Sequence, residues 1–274
     1  MKVPADEAVF DSAWLSRGLL ASPNWRHGHL EVVSTARIGV EYGLSGRTHR
    51  VVAESERGGR VSFVVKEEKA DAVERELLFH RELGEALLGS VPECYGGGSD
   101  PELDRGLLFL EDVAPAEQGD VLRGCTDERA EALVRVLARI HAAGWRERED
   151  AFPSTFPRWS MRPLDRDQWK DRLARAVVRY PTIVTPDFSA RLDDLPHKIP
   201  RTLTELRAGP TSWIHVDAHL DNVLWRPDGS AVLLDWCGAA IGPPAVDLAR
   251  CLTEGIDAGS HPERAEALLS AYTH

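Results

Sequence analysis

The sequence predicts an α+β protein of two lobes, a small β-rich N-terminal lobe and a larger helical C-terminal one. Three observations carry this. Strand-like runs concentrate between residues 30 and 113, and helical periodicity dominates after them. The two regimes meet at VAPAEQGD (113–120), which reads as a linker. The length, 274 residues, suits one large or two small domains. The lobes are expected at residues 1–113 and 114–274.

Residues 5–22 read as an amphipathic helix with Phe10, Trp14 and Leu19 near one face. LEVVSTARIGV and THRVVAES form a hairpin around EYGLSGR. ERGGR is a second turn and VSFVVK a third strand. Residues 70–88 are helical by period, the GGG at 96–98 ends the segment that contains VPECY, and GLLFLEDV (106–113) is a strand. Residues 127–144 form a strong helix, capped by Asp127 and closed by Gly144. Between 150 and 212 the sequence is mixed, with one helix around 166–180. Residues 213–235 are β-rich, and 245–254 and 262–273 are helical.

Composition narrows the function. Hydrophobic residues at 43% and charged residues at 28% describe a globular chain. No run approaches the roughly 18 apolar residues of a membrane helix, and no N-terminal apolar core marks a signal peptide. Neither a membrane nor a nucleic acid is an expected partner, since a net charge of −11 disfavours nucleic-acid binding. Cys94, Cys125, Cys237 and Cys251 are widely spaced, without C-x-x-C. They are expected to be reduced thiols of a cytoplasmic protein.

The most informative stretch is IHVDAHLDNVLWRPDGSAVLLDW (214–236). With Asp228-Gly229 as a two-residue turn, Asn222 falls opposite Asp235 at the open end of a hairpin. An amide oxygen and a carboxylate side by side are hard ligands for Mg²⁺. Asp217, in the loop upstream, is placed to take a hydroxyl proton. His215-x-Asp217-x-x-x-x-Asn222, followed by a hairpin-spaced Asp235-Trp236-Cys237, matches the catalytic-loop and metal-loop pattern of protein kinases. His215 supports that loop. A rival reading puts His215, Asp217, His219 and Asp221 on one face of a strand as transition-metal ligands of a hydrolase. It leaves Asn222 unexplained, and His219 and Asp221 singly read as loop hydrogen-bonders.

The first half must then hold the nucleotide. A P-loop is absent. Gly43-Leu44-Ser45-Gly46 sits at a hairpin tip where backbone N–H groups can approach phosphates. Lys66 lies at the end of a β-run. Ten residues on, Glu76 falls in an apolar helical stripe with Ala72, Phe79, Leu83 and Leu87, while Glu74 points to solvent. A carboxylate in such a stripe needs a cation, and Lys66 is the natural one. Backbone groups of Glu111 and Val113, in the strand joining the lobes, can meet a purine edge. In 146–212, Asp165 and Trp169, together with Trp236, are candidate contacts for the acceptor.

These residues resemble the aminoglycoside-phosphotransferase and choline-kinase-like superfamily, the likeness being nearest to its bacterial ecdysteroid-kinase-like branch. GLSGRTHRV, ELLFHREL, LLFLEDVAPAEQGD, LARIHAAGW, HVDAHLDN, LLDW and PPAVDLAR carry the resemblance across most of the chain. It implies a bilobal protein-kinase-like fold, Mg²⁺, and ATP or GTP as donor. The partner would be a small-molecule hydroxyl acceptor, with an antibiotic (aminoglycoside-like or nucleoside) favoured over an amino sugar or choline-like metabolite. An inactive pseudokinase scaffold is the rival from another class. Two positions depart from the family: Val216 stands where glycine is usual, and Cys237 replaces a polar residue. Asp247 reads as a brace for a loop or helix end rather than a reacting group.

Overall fold

A computed structural model describes residues 11–39, 46–145, 152–154, 156–161, 165–254, 256 and 262–273. The first part is a five-stranded antiparallel sheet of β1 (Leu30–Ile38), β2 (Arg47–Ser55), β3 (Arg60–Glu68), β4 (Cys94–Asp100) and β5 (Arg105–Glu111). Its order is β1-β2-β3-β5-β4. Side-chain alternation gives the sheet two different faces. Phe63, Val65, Leu107 and Phe109 turn to one face, where helix α1 (Ser12–Leu20) buries Leu15 and Leu19 against them. Val64, Leu108 and Leu110 turn to the other, under α2 (Ala70–Leu83). Lys66 shares the parity of Val64 and so faces α2.

Glycine sets how closely α2 approaches. A Cβ at Gly106 of β5 would lie 2.6 Å from Val73. The buried residues of α2 are Ala70, Val73, Glu76, Phe79, His80 and Leu83. Val73, not the expected Ala72, holds the second place in that stripe: Ala72 is only half-buried, and Val73 is the residue that packs against Gly106. The helix ends at Leu83, and Glu85–Leu87 tightens into a 3-10 turn. The three glycines at 96–98 lie within β4 instead of ending a segment, and a Cβ on Gly97 would run into the Leu107 carbonyl, so that glycine permits the close pairing of β4 with β5.

The second part is helical around two small sheets. Its core centres on α3 (Asp127–Ala143), which buries Leu133, Val134, Leu137 and Ile140. Thr126, not Asp127, caps α3: its Oγ1 accepts from the Arg129 amide at 3.4 Å. α1 likewise begins later than expected, because Asp11 caps it by accepting from the Trp14 amide at 2.8 Å. Phe10 lies outside the described residues. Where one helix was expected between 150 and 212, the described residues form three, α4 (Arg166–Arg179), α5 (Pro186–Asp193) and α6 (Leu195–Arg207), which pack in sequence. Each of α5 and α6 carries a proline in its first turn, a helix-start signal that the proline-rich composition had masked.

The strands here are short. β6 (Glu117–Gln118), β8 (Val223–Trp225) and β9 (Ala231–Leu233) form one sheet, and β7 (Ser212–Ile214) with β10 (Ala240–Gly242) the other. Helices α7 (Ala245–Thr253) and α8 (Pro262–Thr273) follow. The β8–β9 register differs by one from the sequence reading: Val223 pairs with Leu233 and Trp225 with Ala231. The turn is Pro227-Asp228-Gly229, three residues rather than two, with Gly229 at φ 84°. Type I turns that end on a left-handed glycine close hairpins of this kind. Among the described residues no helix is long and apolar enough to cross a membrane.

Candidate active site

Three distant segments converge between the sheet and the helical part. Lys66 Nζ donates to Glu76 Oε2 and to Asp235 Oδ1, each at 2.7 Å. Glu76 is buried in the α2 stripe, where an unpaired carboxylate would carry a large desolvation cost. Burial works against the Lys66 ammonium, but Glu76 and Asp235 outweigh it and hold its pKa above the usual lysine range. Burial likewise works against the Asp235 carboxylate. The nearby Lys66 more than offsets this and takes it down to about 2. Both groups are therefore charged at neutral pH.

The shifted register brings Asp235 here by a different route. Opposite Asn222 stands Leu234, whose amide donates to the Asn222 carbonyl at 2.8 Å. Asp235 is the next residue, and its φ of 61° turns the chain out of the hairpin. Trp236 follows, fully buried and stacked on Phe79 of α2 at 3.7 Å between centroids. This corrects its assignment to the acceptor. Trp236 locks the segment after Asp235 to α2, and its Nε1 is spent on the Leu233 carbonyl at 3.0 Å.

The loop 215–219 leaves β7 and is not a strand, so His215, Asp217, His219 and Asp221 do not share a strand face. Among the described residues no group of three or more His, Cys, Asp or Glu side chains is arranged to hold a metal ion. His215 is fully buried. Its Nε2 bonds to the Leu234 carbonyl at 2.6 Å, and its Nδ1 accepts from the Asp217 amide at 3.2 Å. These partners fix the tautomer with the proton on Nε2, and the ring pins the loop to the segment beside Asp235. Asn222 Nδ2 donates to the Asp217 carbonyl at 2.9 Å and meets Asp217 Oδ2 at 3.3 Å. These contacts engage the Asn222 side-chain nitrogen and leave its oxygen as the open acceptor.

Asp217 is half-exposed. His219 Nε2 lies 3.3 Å from Oδ2, and Arg250 Nη2 2.7 Å from Oδ1. The hydrogen bond from His219, with help from Arg250, holds the Asp217 carboxyl below the usual range and raises His219 in return. Asp221 accepts from the Val121 amide at 2.7 Å. His219 and Asp221 are the loop hydrogen-bonders expected.

Asp247 of α7, fully buried, carries the loop from below. Its Oδ2 accepts from the His215 amide at 2.6 Å and meets His141 Nε2 at 3.1 Å; its Oδ1 accepts from the Val216 amide at 2.7 Å. His141 Nδ1 in turn meets the Tyr272 hydroxyl at 2.9 Å. Val216 has φ 74°, a region glycine enters freely and a β-branched residue does not. The departure from glycine therefore introduces strain, which the Asp247 bond holds in place.

Other expected residues fare differently. Gly43, Leu44 and Ser45 lie outside the described residues. A Cβ on Gly46 would meet the Glu67 carbonyl at 2.8 Å, so this glycine serves the approach to β3. The Glu111 amide donates to the Glu93 carbonyl at 2.8 Å, which removes it as a donor to a purine and leaves its carbonyl. Its side chain pairs with Arg226 at 2.9 Å, tying the joining strand to the β8–β9 turn. The Val113 side chain is buried, so only its backbone can face a ligand. Asp165 is the N-cap of α4, accepting from the Gln168 amide at 2.8 Å, and Trp169 Nε1 donates to the Leu192 carbonyl at 2.9 Å. Each thus has one polar atom engaged in holding the α4–α6 helices. Sequence reasoning missed Arg250, three residues past Asp247 on α7. It also missed Arg75, whose Nη1 donates to the Cys237 carbonyl at 2.5 Å and joins α2 to the metal loop.

A sheet carrying a Lys–Glu pair, a loop with Asp217 and Asn222, and Asp235 after a hairpin define a protein-kinase-like fold. The sequence pattern of the phosphotransferase enzyme family matches residues 39–273, and the chain belongs to that family of phosphotransferases. No curated protein sequence matches it. Among solved structures it is similar to a spectinomycin phosphotransferase in complex with ADP and spectinomycin. That match has 15% identity and TM-score 0.63, covering 89% of this chain and 76% of the other. It is similar to a choline kinase from Streptococcus pneumoniae (17%, TM-score 0.54, covering 88% and 75%). A macrolide 2'-phosphotransferase from Brachybacterium faecium is also similar (21%, TM-score 0.53, covering 89% and 78%). At these identities the likeness concerns the fold.

Proposed function

We propose that the chain transfers the γ-phosphoryl group of ATP or GTP to a hydroxyl of a small molecule, and that the acceptor is an antibiotic. The observation that carries the kinase reading is the Lys66 ammonium, bridging Glu76 and Asp235 at 2.7 Å from each. A lysine fixed between a helix carboxylate and a metal-loop carboxylate is the arrangement that aims an ammonium at α/β-phosphates. The antibiotic acceptor is supported by the spectinomycin and macrolide enzymes that share the fold.

The lobes divide at residues 113/114, with the site between them. Lys66, aimed by Glu76, holds the α/β-phosphates. The Asn222 amide oxygen and the ionised Asp235 carboxylate fit Mg²⁺, both being hard oxygen donors. When bound there, the ion neutralises charge on the β- and γ-phosphates. Asp217 orients the acceptor hydroxyl and takes its proton. Catalysis of this kind is mostly positioning and electrostatics.

The test is a screen of aminoglycosides, nucleoside antibiotics, macrolides, amino sugars and choline for phosphate transfer, run beside Asp217→Asn. The variant should lose about 10²–10⁴ in kcat while nucleotide binding survives. Near-wild-type turnover in Asp217→Asn would refute its role as base. Activity confined to choline or a simple sugar would refute the antibiotic acceptor and leave the kinase chemistry standing.

A further inference from the structure

We infer that Arg250 is a positioning residue for Asp217, so that one face of α7 sets both the backbone and the carboxylate of the catalytic loop. The inference rests on the kinase reading above. Asp247 and Arg250 are three apart on α7 and share a face. Asp247 grips the amides of His215 and Val216 at 2.6 and 2.7 Å, and Arg250 Nη2 reaches Asp217 Oδ1 at 2.7 Å. Three consecutive loop residues are thus held from one turn of helix, the third through the group that meets the acceptor.

The contacts also divide the two Asp217 oxygens. Oδ2 faces both Asn222 Nδ2 and His219 Nε2, each at 3.3 Å. Oδ1 faces Arg250. A carboxylate oxygen has two lone pairs, so Oδ1 is the atom with one left for an acceptor hydroxyl. Arg250 then fixes the very oxygen that works. The same Nη2 lies 3.4 Å from Glu254 Oε2, one turn on, which keeps the guanidinium from swinging away. Its Nε is buried and has no hydrogen-bond partner among the described residues. Nε and Nη2 form the side-on edge of the fork, so the carboxylate can shift between one- and two-nitrogen contact without leaving its anchor.

Stability does not explain this pair. Both side chains are substantially exposed, 38% and 45%, and ion pairs at such exposure add little to folding. An arginine here also lowers the basicity of Asp217. Phosphoryl transfer tolerates that, because its loose transition state asks more for aim than for base strength.

The experiment measures steady-state kinetics of Arg250→Ala, Arg250→Lys and Glu254→Gln. It uses the acceptor found by the screen and, as an acceptor-free readout, slow phosphoryl transfer from Mg-ATP to water. Arg250→Ala should lower kcat about 10–100-fold, the scale set by small misplacements of reacting groups, with nucleotide KM and melting temperature unchanged. Arg250→Lys should recover part of kcat, since it restores the charge but not the fork. Glu254→Gln, which keeps Arg250 and only loosens it, should cost about 2–5-fold, and it carries the test if Arg250→Ala does not fold. In an Asp217→Asn background Arg250→Ala should add nothing, because it acts through that carboxylate. A loss confined to acceptor KM, a rise in kcat, or an equal loss in the Asp217→Asn background would overturn the inference alone. No transfer by the wild-type protein to any acceptor or to water, with nucleotide bound, would overturn the proposed function as well.

Discussion

Replacing Asp247 by asparagine keeps the shape of the side chain and removes one of its two acceptor oxygens. The remaining oxygen can stay where Oδ2 now serves the His215 amide at 2.6 Å and His141 at 3.1 Å. The new NH₂ then faces the Val216 amide, which Oδ1 holds at 2.7 Å in the native chain. A donor meets a donor in a fully buried place. A buried amide left unpaired costs about 1–3 kcal/mol. It is also the bond that holds Val216 at φ 74°, a conformation storing about 1–3 kcal/mol that the loop can release by rearranging. Rearrangement lowers the stability cost and misplaces Asp217, one residue on. We expect a net destabilisation of about 1–2 kcal/mol, read as a fall in melting temperature of roughly 2–8 °C. We also expect kcat to fall about 10²-fold even where the protein is fully folded. Calorimetry or circular dichroism gives the first and turnover the second. A variant that melts within about 1 °C of wild type and turns over normally would refute the idea that Asp247 braces the loop.

Two further outcomes are expected. Asp235→Ala should remove the Mg²⁺ dependence of nucleotide binding, seen by calorimetry with and without the ion, and an unchanged dependence would place the metal elsewhere. His80 is buried, both ring nitrogens lack a hydrogen-bond partner among the described residues, and burial lowers its pKa to about 3. It is neutral in the folded chain, whereas the unfolded chain binds a proton below about 6.5. Its effect on stability is therefore absent above pH 6.5 and grows as pH falls towards 3, by up to about 1.4 kcal/mol per pH unit. His80→Leu should flatten denaturation midpoints measured from pH 7 to 4.5 relative to wild type; parallel curves would refute the assignment.

The sequence by itself determined the partners of the Lys66–Glu76 pair and the spacing that puts Asp217, Asn222 and Asp235 together. Local rules sufficed there: strand parity turns Lys66 towards α2, helical period places Glu76 in the buried stripe, and a turn signal closes the hairpin. The hairpin shows how much slack those rules allow. The register was off by one, yet Asp235 still arrived, because its left-handed backbone turns the chain back towards Lys66. What only the tertiary structure decided were contacts between segments far apart in the chain. Trp236 looked like an acceptor contact and became core, because Phe79 from α2 covers its whole face. Asp165 and Trp169 each hold a helix end or a helix contact in a group of three helices that their proline-rich sequence hid. Arg250 carried no signal of its own. It meets Asp217 because α7 packs beneath the loop at 215–219, a proximity that no spacing within the sequence encodes and that only burial of the shared core enforces.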